Sequence, residues 1–252
     1  MFYSKTFMGE FVPYYELFFK DKRFLKTTKE IANFIKNIAP SAKNILDFGC
    51  GSGIYSKNLA KLGFCCVGVD VSLDMINFAK SKNAHKNVSY FVGDIREVFI
   101  RDSFCACLMM SHVICYQVQQ KDLIAVLKNT FNHLKKGGIL LFDFYLQSGI
   151  LKAGLEARIK QVQDKHIRIT RFSNAKFCYL ENAINLEYQY FIENNAKNIF
   201  LTSSDKMRFF STMELEYYLK TIGFKSVRFF KSLSGGGGLN ENCTSGFCLA
   251  MK

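Results

Sequence analysis

Apolar residues along this chain fall into two alternating patterns, and the alternation itself predicts a fold. In residues 28–39 the apolar positions Ile31, Phe34, Ile35 and Ile38 trace the i, i+3, i+4, i+7 stripe of an amphipathic helix, which Pro40 stops. Ile45, Leu46 and Phe48 then form a short apolar run, the mark of a strand buried on both faces. Residues 55–62 read as a helix closed by Gly63, and residues 65–70 as a second buried strand. Ser72 is placed to cap a helix through Met75, Ile76 and Ala79. Residues 88–92 and 104–110 predict a third and a fourth strand. Residues 122–134 predict a helix with Leu123, Val126, Leu127, Phe131 and Leu134 on one face. Lys136-Gly137-Gly138 then turns into a fifth strand at 139–144. Strands alternating with helices imply right-handed crossovers, hence a parallel, doubly wound α/β sheet.

The pattern changes after Tyr145. A helix-like stretch runs to about residue 165, followed by alternating runs at 167–172, 183–192 and 199–210 that read as an antiparallel insertion. Residues 212–222 predict a helix stopped by Gly223, residues 225–230 a strand, Gly235 to Gly238 a glycine loop, and residues 246–251 a last strand. At the other end, residues 11–20 form a short aromatic segment, helical after Pro13. The expected organisation is a single domain over 1–252. Its core lies at about 28–145 and 212–252, the insertion at about 166–211, and an N-terminal aromatic lid segment at about 8–25.

Composition adds bounds. With 252 residues, 49% of them apolar, the chain can bury one large core. Its longest apolar runs are strand-length, and residues 1–5 lack a leader pattern, so a cytoplasmic protein with no membrane partner is expected. The nine cysteines contain no C-x-x-C pair and read as reduced thiols, with no metal site. A net charge of +13 suggests an anionic partner. The lysines are spread along the whole sequence, however, and only a clustered patch would be a nucleic-acid footprint. The charge does ease the capture of a phosphorylated or nucleotide-linked substrate.

The first strand ends in Asp47-Phe48-Gly49-Cys50-Gly51-Ser52-Gly53, a glycine turn opening onto a helix N-terminus, where free N–H groups favour polar or anionic ligands. The dinucleotide fingerprint needs glycine at position 54, where this chain has Ile54, and the P-loop needs a Lys-Ser/Thr pair that Ile54-Tyr55 does not supply. A nucleoside with a smaller charged tail fits better. Asp70, at the end of the second strand, can accept hydrogen bonds from both ribose hydroxyls. Asp94, behind Gly93 after the third strand, can accept from the exocyclic amine of an adenine, with Val71, Met75 and Ile95 around the ring.

ILDFGCGSG, VGVDVS and VGDIRE, in this order and spacing, resemble motifs I, post-I and II of the class I S-adenosylmethionine-dependent methyltransferases, and LKKGGILLFDF resembles the turn and strand after their fourth helix. The resemblance covers about residues 28–145. It implies a Rossmann-like seven-stranded sheet with the last strand antiparallel, and S-adenosylmethionine as cofactor. It further implies Gly49, Gly51 and Gly53 on the methionine part, Asp70 on the ribose and Asp94 on the adenine. Asp47, Cys50, Gly93 and Met109 complete the candidate cofactor set. A narrower resemblance, carried by FVPYYELFF, the antiparallel insertion and RFFSTMELEYYLKTIGF before a glycine-rich loop, is to small-molecule methyltransferases acting on nucleotide-linked amino sugars. In that group an N-terminal tyrosine closes over the cofactor, which points to Tyr14, and an active-site side chain aligns with Tyr116.

Ligands of open sheets bind at strand carboxyl ends, so the acceptor is expected at the ends of the fourth and fifth strands, near His112, Tyr116, Asp143 and Tyr145. His112 is the candidate general base if the acceptor arrives protonated. The expected activity is methyl transfer to an oxygen or nitrogen of a small polar acceptor, such as a nucleotide-linked sugar or a surface-glycan (capsule-type) precursor, with a homodimer left open. Methylation of DNA bases is disfavoured: the only prolines are Pro13 and Pro40, so neither a Pro-Pro motif nor a Pro-Cys nucleophile can follow the fourth strand. RNA methylation, or a cofactor-binding relative without turnover, remains as an alternative. Polyamine synthases share such a fold but place paired acids where this chain has Ser111 and His112.

Overall fold

The computed structural model describes residues 9–194, 197–234 and 237–252. The first residue of the expected lid segment and half of the tetraglycine loop lie outside the described residues. A 3₁₀ turn, Gly9–Tyr14, runs into α1 (Tyr15–Phe18) and a second 3₁₀ turn at Lys20–Lys22. The core then alternates as the apolar pattern requires: α2 (Phe24–Ile38), β1 (Asn44–Phe48), α3 (Ile54–Lys61), β2 (Cys65–Asp70), α4 (Leu73–Lys82), β3 (Val88–Val92), β4 (Phe104–Met109), α5 (Gln120–His133) and β5 (Leu134–Tyr145). After α6 (Gln147–Ala153) come β6 (Arg158–Gln163), β7 (Ile167–Cys178), β8 (Ala183–Asn194) and β9 (Asn198–Arg208). The chain closes with α7 (Thr212–Ile222), β10 (Ser226–Phe230) and β11 (Ser245–Met251).

The main sheet has seven strands in the order β10-β11-β5-β4-β1-β2-β3, with β11 antiparallel to both neighbours and the other pairings parallel. Strand order reverses between β1 and β4, and crevices at the carboxyl ends of such a switch point are where open sheets bind ligands. Neighbouring residues in one strand feed opposite layers, because side chains alternate across a strand. Leu46, Leu140 and Phe142 pack under α5 and α7, while Ile45, Ile139 and Leu141 pack with Ile31, Ile35 and Leu59 of α2 and α3. Ser72 Oγ accepts from the Met75 N–H at 3.2 Å, the cap the sequence predicts for α4. Among the described residues no helix is long and apolar enough to cross a membrane.

A second sheet, β6-β7-β8-β9, is antiparallel throughout. Its inward side chains Val162, Ile169, Tyr190 and Ile192 close on Phe11 and Phe18, so the N-terminal segment is fastened to this sheet by a small core of its own. The sequence expectation of helix to about residue 165 is corrected here. The helix stops at Gly154, whose φ of 72° suits a glycine, and β6 follows as an edge strand paired along its length with β7. The hydrophobic pattern of β6 is weak because Ile159 is exposed and only Val162 is buried. Lys136-Gly137-Gly138 also differs: it lies inside β5, where the register against β4 shifts between Phe104 and Ala106.

Candidate functional site

A cavity of about 680 Å³ opens at the switch point. Its floor comes from the core: Gly49 and Gly51 after β1, Asp70 to Ser72 after β2, Asp94 to Arg96 after β3, and Met110, Ser111 and Val113 after β4. Tyr15 and Lys22 of the N-terminal segment border it, as do Ser204, Asp205 and Lys206 of β9. Three chain segments far apart in sequence therefore share one space.

The glycine turn explains itself residue by residue. A Cβ on Gly49 would stand 2.5 Å from Val113 Cγ2, and one on Gly53 2.5 Å from the Tyr90 hydroxyl, so both are glycine for close packing. Gly51, with φ +53°, is different: a Cβ there would meet no protein atom, only the cavity. Its N–H donates to Asp70 Oδ2 at 2.8 Å, and the Ser72 N–H donates to Asp70 Oδ1 at 2.9 Å. Two backbone donors thus fix the Asp70 carboxylate at the cavity edge, and an ionised carboxylate keeps further lone pairs for donors such as ribose hydroxyls. Burial raises its pKa above the ordinary value, against those hydrogen bonds.

Asp94 does not stand as a bare acceptor for an adenine amine. The Arg96 N–H and Nε donate to its Oδ1 at 2.9 and 3.0 Å, and Arg96 Nη2 reaches Oδ2 at 2.5 Å. Arg96 also pairs with Asp122 at 3.1 Å. Sequence reasoning missed this arginine, although the motif places it two residues after the acid. Val71, Met75 and Ile95 border the cavity as expected.

Several predicted residues lie outside the cavity. Cys50 is buried against Ile76, Ala79 and Tyr90, and Met109 is buried in the main core. Gly93 makes room for Val98, whose Cγ2 would sit 2.8 Å from a Cβ. Asp47 is buried and accepts from Ser56 Oγ at 2.5 Å. Burial pushes its carboxyl up to about 7 from 3.8, against the lowering effect of that hydroxyl. The folded state therefore holds a proton that the unfolded chain has lost, and the resulting stability fades as pH rises from about 4 through about 7. Asp47→Asn should flatten this decline in a pH series of thermal melts; an unchanged slope would contradict the assignment.

Tyr15, not Tyr14, borders the cavity. Tyr14 ends the 3₁₀ turn and packs into the small core beside the second sheet, its hydroxyl accepting from Asn194 Nδ2 at 3.3 Å. One residue of helical rotation separates the two. Burial pushes the Tyr15 hydroxyl above its ordinary range, so it stays protonated and can donate. Tyr15→Phe is expected to weaken cofactor affinity several-fold, roughly the worth of one hydrogen bond. Tyr14→Phe should leave affinity near wild type; equal effects in the same titration would remove the distinction.

At the acceptor end only Tyr116 of the predicted set borders the cavity, its hydroxyl held protonated by burial. Ser111 and His112 both adopt positive φ, 66° and 63°, a strained pair just past β4. Asp143 holds the turn: its Oδ1 accepts from the His112 N–H at 2.9 Å, and its Oδ2 lies 3.3 Å from His112 Nδ1. The imidazole stacks on Tyr145 at 4.2 Å, and its Nε2 is buried without a protein partner. Burial lowers the pKa of His112, partly offset by Asp143, so the ring is neutral. His112, Asp143 and Tyr145 thus brace the strand end behind Ser111, and none of the three is among the residues that line the cavity. His133 is also structural: Nε2 accepts from the Ile100 N–H at 2.9 Å while Nδ1 sits 2.8 Å from the Asn129 carbonyl.

Residues 45–138, which contain the glycine turn, Asp70 and Asp94, match a family model described as a methyltransferase domain. That domain, the similar proteins and the shared fold support an S-adenosylmethionine-dependent methyltransferase. The methyltransferase is 29% identical to YqeM of Bacillus subtilis, named as a methyltransferase, over 77% of this chain and 78% of that protein. It is 24% identical to the dTDP-3-amino-3,4,6-trideoxy-alpha-D-glucopyranose N,N-dimethyltransferase of Streptomyces venezuelae, over 51% of this chain and 54% of the relative. That alignment spans only about half of the relative's length. An S-adenosylmethionine-dependent methyltransferase of Clostridium acetobutylicum has the same fold, with a TM-score of 0.81 at 19% identity, covering 95% of this chain and 96% of that one. The cofactor is S-adenosylmethionine. The residues present fit it, since the space before Gly51 and the pinned Asp70 carboxylate suit a nucleoside with a short polar tail.

Proposed function

We propose that this methyltransferase acts on a small polar acceptor, a nucleotide-linked sugar or a related surface-glycan precursor, at an amino or hydroxyl group. The carrying observation is the extent of the cavity. Beyond the nucleoside end it continues to Tyr116, Gln117 and the β9 residues Ser204 and Asp205, leaving space for a second polar ligand. The name of the Streptomyces relative supports a sugar acceptor, as does the cation supply along the cavity at Lys22, Lys121 and Lys206. The expected setting is the cytoplasm, where nucleotide-linked sugars are made.

In this reading Asp70 holds the ribose, Gly51 lies along the methionine part, and Val71, Met75 and Ile95 hold the adenine beside the Asp94–Arg96 pair. Bound there, the cofactor supplies an electrophilic methyl group on a sulfonium. The chain supplies position: holding an acceptor atom in line with that group accounts for most of the acceleration such a site needs. Tyr15 and Tyr116, both kept protonated by burial, orient lone pairs by donating hydrogen bonds. Asp205, buried on β9, suits an acceptor amine or hydroxyl.

The test is a mass-spectrometric assay with isotopically labelled cofactor, a panel of nucleotide-linked amino and hydroxyl sugars, and generic RNA as a separate acceptor. One labelled methyl on a sugar of the panel is the expected result. Label that appears only on RNA, or on no member of the panel, would overturn the acceptor class.

A further inference from the structure

Lys160 of β6 and Arg171 of β7 stand directly opposite each other in the antiparallel register. They share a face with Val162 and Ile169, both buried, because residues two apart on a strand point the same way. Like charges directly opposed destabilise a sheet. The N-terminal segment adds a third cation, Lys22, whose Nζ lies 3.5 Å from Ser111 Oγ at the cavity. Aromatic rings interleave the three: Lys22 over Phe19 at 4.4 Å, Lys160 over Phe18 at 4.8 Å, and Arg171 over Phe18 and Tyr188 at 5.0 Å each.

Counter-charge is one short. Asp21 pairs with Lys160 at 2.9 Å, and Asp143, hydrogen-bonded to the neutral His112, is the second anion against three cations. Among the described residues no carboxylate forms an ion pair with Lys22 or Arg171, and Arg171 Nε is buried without a partner. Lys22 keeps accessible surface, as a residue bordering a cavity does, yet enough protein surrounds its ammonium to lower its pKa, an effect that Asp143 and Asp21 oppose and Lys160 and Arg171 reinforce. Ring contacts fasten the segment to the sheet, but they do not offset the cost of crowding cations in excess of their anions. Three cations against Asp21 and Asp143 leave the cluster one positive charge in excess, with Lys22 bordering the cavity.

We propose that Lys22, backed by Arg171, forms an anion subsite that binds a phosphate of the acceptor and so selects phosphorylated or nucleoside diphosphate-linked acceptors. This rests on the reading of the cavity as an acceptor site next to the cofactor. Lys22 makes the contact, and Arg171 and Lys160 supply the field that favours it. A phosphate held at Ser111 sits at the carboxyl end of β4, beside the strand end where the acceptor must be presented.

The experiment uses the full chain saturated with S-adenosylhomocysteine and titrated calorimetrically with inorganic pyrophosphate. Wild type is expected to bind, Lys22→Met to bind about tenfold more weakly or worse, and Lys22→Arg to recover most of the affinity. Lys176→Met, on the outward side of β7, controls for loss of general charge and should leave binding unchanged. Absence of pyrophosphate binding to wild type, or equal binding by Lys22→Met, would overturn the subsite. Normal binding of S-adenosylhomocysteine in those samples would leave the cofactor assignment standing. In the acceptor assay Lys22→Met should raise KM for a nucleotide-linked sugar with little change in kcat; methylation of such a sugar with unchanged KM would refute the subsite but not the acceptor class.

Discussion

Asp70→Ala is expected to weaken binding of S-adenosylhomocysteine on the order of 100-fold while leaving the chain folded. Hydrogen bonds to a charged partner contribute about 1.5–3 kcal/mol each, and the substitution removes the acceptor for two ribose hydroxyls at once. It also releases the Gly51 and Ser72 N–H groups that now point at the carboxylate, so the glycine turn loses its anchor to β2. The carboxylate sits where burial disfavours its charge, so donors from a ligand are worth more there than in water. Asp94→Ala should cost less, because Arg96 already takes up much of that acid's accepting capacity. Isothermal titration gives the affinities and circular dichroism melts report folding. Unchanged affinity in folded Asp70→Ala would remove the ribose assignment.

Gly149→Ala is expected to cost at least about 3 kcal/mol of stability, the upper end for overpacking, and so to lower Tm by roughly 6–12 °C. A Cβ at Gly149 would stand 1.9 Å from the Cys243 carbonyl oxygen, 2.3 Å from its carbon and 2.8 Å from the Thr244 nitrogen. All three atoms are backbone, so no rotamer change relieves the clash. The strand they lead into, β11, pairs with β5 along its length, and the Thr244 carbonyl accepts from the Leu146 N–H at 3.0 Å. Moving Cys243 away would therefore pull on the edge of the main sheet. Gly154→Ala makes the contrast: its Cβ would meet no atom within 4 Å, and only the backbone, at φ 72° and ψ −175°, is strained, at about 1–3 kcal/mol. Equal melts for the two variants would contradict the packing argument.

What was readable in the sequence follows from how each feature is encoded. Buried parallel strands are continuous apolar runs, so β1, β2 and β4 stood out, and caps such as Ser72 are local chemistry. Asp70 was legible as a cavity residue because the end of its strand lies at the switch point. The acceptor end was not. Tyr14 and Tyr15 differ by one step of helical rotation, which an aromatic-rich segment without a clean polar face does not reveal. His112 is expected near the acceptor because it follows the fourth strand, but the αL turn and Asp143 fold its ring back onto Tyr145. Lys22 and Asp205 reach the cavity only because two distant segments approach it. One signal for Asp205 was present: with Ser203 it interrupts the strand face that carries Ile199, Leu201 and Met207. Arg171 interrupts the face of β7 that carries Ile169 in the same way.

The most direct measurement is a crystal structure of the protein with S-adenosylhomocysteine. The expected density fills the 680 Å³ cavity with both ribose hydroxyls on Asp70, the adenine between Val71, Met75 and Ile95, and the amino-acid tail along Gly51. Density elsewhere, or a ribose that makes no contact with Asp70, would contradict the site.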